Sequence, residues 1–185
     1  MKPGDSQILV GTVGKDVFVR VEGKGTHMVS QQLREFLFQM IETGFRSFLL
    51  DLNHCTYMDS TFLGMLVGVS LRLKAVTPSK ISIVHINERN LDLFRTLGIE
   101  SFFQIDHAGK APDSAKPEAM QSLPEGKAAT QGWAETMLEA HETLAKVNEQ
   151  NVCRFKDVIA FLKEDVAKLK TGSSSSSAPS DKTGS

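Results

Sequence analysis

The sequence predicts an α/β fold: a mixed β-sheet of about four to five strands backed by helices, with a C-terminal helical hairpin added to it. Three observations carry that expectation. β-branched and apolar runs alternate with amphipathic stretches up to about residue 106. Residues 107–130 then turn rich in Ala, Lys, Gly, Ser and Pro, with prolines at 112, 117 and 124. Helical periodicity returns over residues 131–170.

The elements follow in order. Ile8 to Val13 and Val17 to Val21 are short β-branched runs separated by Gly14, Lys15 and Asp16, the pattern of a hairpin. Gly23 and Gly25 are expected to break the second strand. From His27 to Glu42, residues Val29, Leu33, Phe36, Leu37, Met40 and Ile41 recur at spacings of three and four, an amphipathic helix closed by Gly44. Phe45 to Leu52 is a nearly continuous apolar run, as in a central strand. A short polar loop is expected next, and Asp59-Ser60 then opens a helix running to about Ala75. Lys80 to Ile86 reads as a strand, Glu88 to Leu97 as a helix ended by Gly98, and Ser101 to Asp106 as a final edge strand. The order β-β-α-β-α-β-α-β implies parallel crossovers in one sheet.

Composition narrows the function. The chain has 185 residues, a formal net charge of -1 and 23% charged residues, so it lacks the basic excess that a nucleic-acid binder uses against phosphate. No run of about 20 apolar residues suggests a membrane span, and no signal-peptide pattern opens the sequence. Cys55 and Cys153 form neither a CxxC nor a disulfide framework. A cytoplasmic protein without cofactor or metal is expected.

The most informative stretch joins the central strand to the helix at Ser60. Helix N-termini present unpaired N–H groups and about half a positive charge, so a serine there suits reversible phosphorylation. Asp, Ser and Thr are also ordinary N-cap residues, worth about 1 kcal/mol, and spacing alone does not separate the two roles. Gly64, with Gly68 one turn on, allows close approach of backbone or a partner.

Here a resemblance adds to the residues. Tyr57-Met58-Asp59-Ser60-Thr61-Phe62-Leu63-Gly64-Met65-Leu66 resembles the signature of STAS domains of the anti-sigma factor antagonist family, where Asp-Ser is followed by Ser or Thr and then Gly-Leu-Gly. The similarity spans residue 7 to about 106. It includes the leading hairpin, the helix with Gln32-Leu33-Arg34, and the segment from Asn90 to Ile99. The resemblance implies a STAS-type fold and a regulatory role without catalysis. It further implies Ser60 as phosphoacceptor, a serine kinase acting as anti-sigma factor, and a phosphatase. Asp59, Thr61, Phe62, Gly64, Met65 and Thr26 are the implied partner-binding positions. Two residues depart from the pattern: Phe62 replaces the first glycine, and Thr26 stands where antagonists often carry an acid. The alternative is a STAS subunit of a scaffold or ABC-type transporter complex, with Ser60 a cap and the face around Phe62 and Met65 a permanent contact.

Other chemistry is weaker. Asp51 at a strand end lacks companion carboxylates for Mg²⁺, and His54 beside Cys55 has no orienting partner. His27, His85, His107 and His141 show no metal-ligand spacing. In the C-terminal region Trp133, Met137, Ala140, Leu144 and Val147 form one stripe, and Phe155, Ile159, Leu162, Val166 and Leu169 form another, out of phase with the first. Asn148 to Asn151 lies at the break, so two antiparallel helices are expected over 131–170. Their apolar stripe is expected to self-associate as a homodimer interface or to meet a partner helix, with docking on the first domain as the alternative. Residues 171–185 read as a disordered tail, and 107–130 as a flexible linker.

Overall fold

The fold was obtained as a computed structural model, which describes residues 6–106, 119–124 and 131–173. The chain runs β1 (Gln7–Val13), β2 (Asp16–Gly25), α1 (His27–Glu42), β3 (Ser47–Met58), α2 (Ser60–Lys74), β4 (Ile81–Val84) and α3 (Glu88–Leu97). After a 3₁₀ turn at Glu100–Phe102 come β5 (Phe103–Ile105), β6 (Gln121–Ser122), α4 (Gln131–Ala145) and α5 (Glu149–Ser173). The six strands form one mixed sheet in the order β5-β4-β3-β2-β1-β6. The β1–β2 and β1–β6 pairs are antiparallel, and β2–β3, β3–β4 and β4–β5 are parallel, each crossover carrying a helix or helical turn.

Phe48, Leu50 and Leu52 alternate along β3 and meet Leu33, Leu37 and Ile41 of α1, Phe62, Leu66 and Leu73 of α2, and Phe94 of α3 in one core. Leu49 and Asp51, on the opposite side of the same strand, are only half-buried. The helix α2 differs from an ordinary surface helix. Thr61 through Val67, Val69, Ser70 and Leu73 are all buried, so it is covered on more than the sheet side.

Four sequence expectations change. The strand β2 does not break at its glycines: it continues to Gly25, with register shifts beside Gly23, whose φ of 77° suits a bulge. The polar stretch after Leu52 is not a loop. It extends β3 to Met58, because Glu22 to Gly25 of the prolonged β2 supply a ladder for His54 to Met58. Within the stretch read as linker, Gln121 and Ser122 add a sixth strand along the β1 edge, and Leu123 N donates to Ile8 O at 2.8 Å. The last helix runs through residue 173, three residues into the stretch read as tail. Residues 107–118, 125–130 and 174–185 of those two segments lie outside the described residues.

The paired helices α4 and α5 lie against the domain. Asn151, fully buried at the start of α5, donates from Nδ2 to Leu97 O at 3.0 Å and to Leu144 O at 2.9 Å. Asn148 Nδ2 also reaches Leu97 O at 3.1 Å. The carbonyls of a helix's last turn lack intrahelical donors, and these amides supply them at the end of α3. The helix itself stops at Gly98, which takes a left-handed φ of 68°.

Candidate functional site

The β3–α2 junction is organised by one carboxylate. Asp59 has extended backbone and caps α2: its Oδ1 accepts from Phe62 N at 2.8 Å. Its Oδ2 accepts from His27 N at 2.9 Å and lies 3.2 Å from His27 Nδ1. Asp59 N donates to Gly25 O at 3.0 Å. A single side chain therefore caps two helix starts, and α1 needs it, because Thr26 makes no side-chain cap bond of its own.

Ser60 is the first residue of α2. Its Oγ lies 2.9 Å from Nε2 of His141 on α4. His141 Nδ1 is 2.8 Å from Met137 O. A carbonyl only accepts, so Nδ1 carries the proton, and in the neutral ring Nε2 accepts the hydrogen bond from Ser60. His141 is 4% exposed, and the Phe155 ring packs edge-on to it with centroids 5.2 Å apart.

The rest of α4 crosses α2 and α1 closely. Gly64 faces Ala140, and a β-carbon on Gly64 would overlap that residue's carbonyl group. Arg34 of α1 bonds Glu139 at 2.6 Å. The rings of His27 and Trp133 pack edge to face at 5.5 Å. The stripe Ser60, Gly64, Gly68, spaced one turn apart, is the seam along which the hairpin sits.

A family model described as "Mlab, STAS domain" matches residues 8–104, just over half of the chain. The chain belongs to the STAS domain family. No curated protein matches it. Among solved structures it is similar to the anti-sigma factor antagonist SpoIIAA in its unphosphorylated form, at 18% identity and a TM-score of 0.49 over 55% of this chain and 89% of that one. It is also similar to the phosphorylated form of the Bacillus cell fate determinant SpoIIAA, at 18% identity and a TM-score of 0.46, covering 55% of this chain and 92% of that one. An anti-sigma factor antagonist from Mycobacterium paratuberculosis gives 16% identity and a TM-score of 0.49 over 56% and 86%.

Within this STAS domain the expected partner-binding residues divide into two groups. Asp59 and Thr26 are half-buried at the helix starts, and Gly64 and Met65 lie under α4. Phe62 is a correction. It is fully buried, with its ring against the backbone of Gly25, where a β-carbon would stand 2.9 Å from the ring carbons. The bulk that departs from the family glycine points into the core and forms no contact face. Thr61 is likewise buried, at 3% exposure. The residue missing from the sequence reading is His141. It was legible only as a histidine four residues after Met137, on the apolar stripe of its helix.

Asp51 is structural in its surroundings. Arg20 Nε reaches its Oδ2 at 3.1 Å, His85 Nδ1 its Oδ1 at 2.9 Å, and Asn53 N its Oδ1 at 3.1 Å. Burial alone would raise the Asp51 carboxyl, but these three donors outweigh it and hold the group below the usual carboxylate value. His85 takes a φ of 56° to reach it. The Cys55 thiol is buried and pushed up by desolvation, the opposite of an activated nucleophile, and its neighbour His54 points elsewhere, toward Asn53. Among the described residues, no three His, Cys, Asp or Glu side chains gather as a metal site. No helix among them is long and apolar enough to cross a membrane.

Proposed function

We propose that this STAS protein is a regulatory interaction switch whose state is set by phosphorylation of Ser60. A serine kinase of the anti-sigma factor type would transfer the γ-phosphoryl group of a nucleoside triphosphate to Ser60 Oγ. The hydroxyl proton is lost, the nucleoside diphosphate leaves, and a phosphatase reverses the modification. The observation that carries this reading is the placement of Ser60 at the first position of α2, on an Asp59 cap. Asp59 already takes the Phe62 amide, and the positive end of the helix dipole at this position favours the added negative charge. The partner surface is the α1–α2 face, and the protein acts by binding rather than by catalysis.

A second reading has its own support. The hydroxyl of Ser60 is already engaged by His141, as befits a permanent structural residue in a STAS subunit of a larger scaffold or transporter assembly. Phosphopeptide mass spectrometry on protein purified from its native host, with Ser60→Ala as control, decides between them. Phosphate on Ser60 that is lost in the variant supports the switch. Its absence across growth and stress conditions leaves the constitutive subunit.

A further inference from the structure

The serine of the proposed switch lies beneath the chain's own C-terminal helices. Ser60 meets His141, Gly64 meets the Ala140 carbonyl, and Met65 and Gly68 lie in the same seam opposite Thr136 and Thr143. We infer that the α4–α5 hairpin is an intramolecular cover of the Ser60 face, and that a phosphate on Ser60 and the docked hairpin exclude one another. This rests on the reading of Ser60 as the modified residue.

The argument is one of space and charge. Helices that cross at a glycine, backbone against backbone, leave no room for four more heavy atoms a turn away. At Ser60 the hairpin places an imidazole already committed through Nδ1 to Met137 O, and the capping carboxylate of Asp59 is the adjacent residue. The nearby arginine of the seam, Arg34, is paired with Glu139. Burying nearly two charges with so little compensation is unfavourable, whereas release of the hairpin returns the phosphate to water, still at the positive end of the α2 dipole. Coupling of this kind is reciprocal: a hairpin that phosphate expels must also slow phosphorylation while docked. Release bares the seam of Gly64, Met65 and Gly68, a surface for a partner helix that places a small residue opposite Gly64, as Ala140 does.

The test uses the full chain carrying phosphoserine at position 60, introduced by genetic code expansion, and reads hydrogen exchange by mass spectrometry. At least tenfold faster exchange in α4, with β3 and β4 unchanged, is expected. Unchanged protection of α4 overturns the inference. So does loss of protection in the strands as well, because phosphate would then disrupt the domain instead of releasing the hairpin. A second measurement needs no phosphate. In a Cys153→Ser background, the thiol introduced by S60C should react with iodoacetamide at least tenfold faster once Gly64→Leu wedges α4 away. Equal rates in the two proteins would show that the hairpin does not cover the position. If the cover behaves as expected while native Ser60 never carries phosphate, the gating reading fails and the cover stands.

Discussion

Ser60 and Asp59 are adjacent, yet their roles separate by which neighbours tertiary structure brings to them. Asp59 serves two helix starts through two oxygens, whereas Ser60 turns its hydroxyl to a histidine eighty-one residues later. Asp51, also an acid on β3, is bound by Arg20, His85 and Asn53 and works as a brace between β2, β3 and the end of β4. Its depressed pKa has a direct consequence for stability. A carboxylate held below its unfolded value, about 3.9, contributes stability that is present above that value and is lost as pH falls through the folded one. Asp51→Asn is therefore expected to cost about 1–2 kcal/mol in urea unfolding at pH 7. The gap between variant and parent should narrow below about pH 4, and a gap independent of pH would remove the electrostatic account.

Among the elements, α2 and the α4–α5 turn decide the architecture. The apolar run Thr61-Phe62-Leu63-Gly64-Met65-Leu66-Val67 leaves α2 without a clear polar face, and the protein covers it with the sheet on one side and α4 on the other. The hairpin is then pinned at its turn, where Asn151 bridges Leu97 O and Leu144 O. Removing a buried donor strands both carbonyls, partly relieved at Leu97 by Asn148. Asn151→Ala is expected to cost about 1–3 kcal/mol and to loosen α4 and α5 ahead of the sheet. Hydrogen exchange localises the effect, and Trp133, the chain's single tryptophan, provides an emission shift to follow it. Uniform loss of protection across the strands would place the role of Asn151 in the whole fold instead.

At the scale of the molecule the protein has three layers: the sheet, the α1–α2–α3 layer, and the hairpin over α1 and α2. The apolar stripe of α4, expected to meet a second chain or a partner helix, is covered in cis, with Ala134, Ala140 and Leu144 buried. A chain ending at residue 124 keeps the sheet, including β6, but uncovers the face of α2 around Gly64 and Met65. It is expected to self-associate at micromolar concentration in light scattering, with the intact chain as the comparison, because contiguous apolar patches of that kind drive association. A truncated protein as monodisperse as the intact one would mean that the hairpin covers little of energetic weight.

Local pattern was enough for much of this protein. The order of the first eight elements, the helix closed by Gly98, the break at Asn148 to Asn151 and the placement of Ser60 at a helix start all follow from periodicity and capping, which act over a few residues. The prolonged β2 and β3 did not follow, because each strand exists there only by pairing with the other. The β6 pairing did not either, since two residues carry no period of their own. Whether Phe62 faced a partner or the core depended on Gly25, thirty-seven residues away, and whether the hairpin covered this chain or another depended on fit against Gly64. Sequence by itself determined the STAS elements and the serine at the start of α2. Tertiary structure alone decided that His141 lies over that serine and Ala140 over Gly64, because close packing between distant segments is set by shape and leaves no periodic trace in either one.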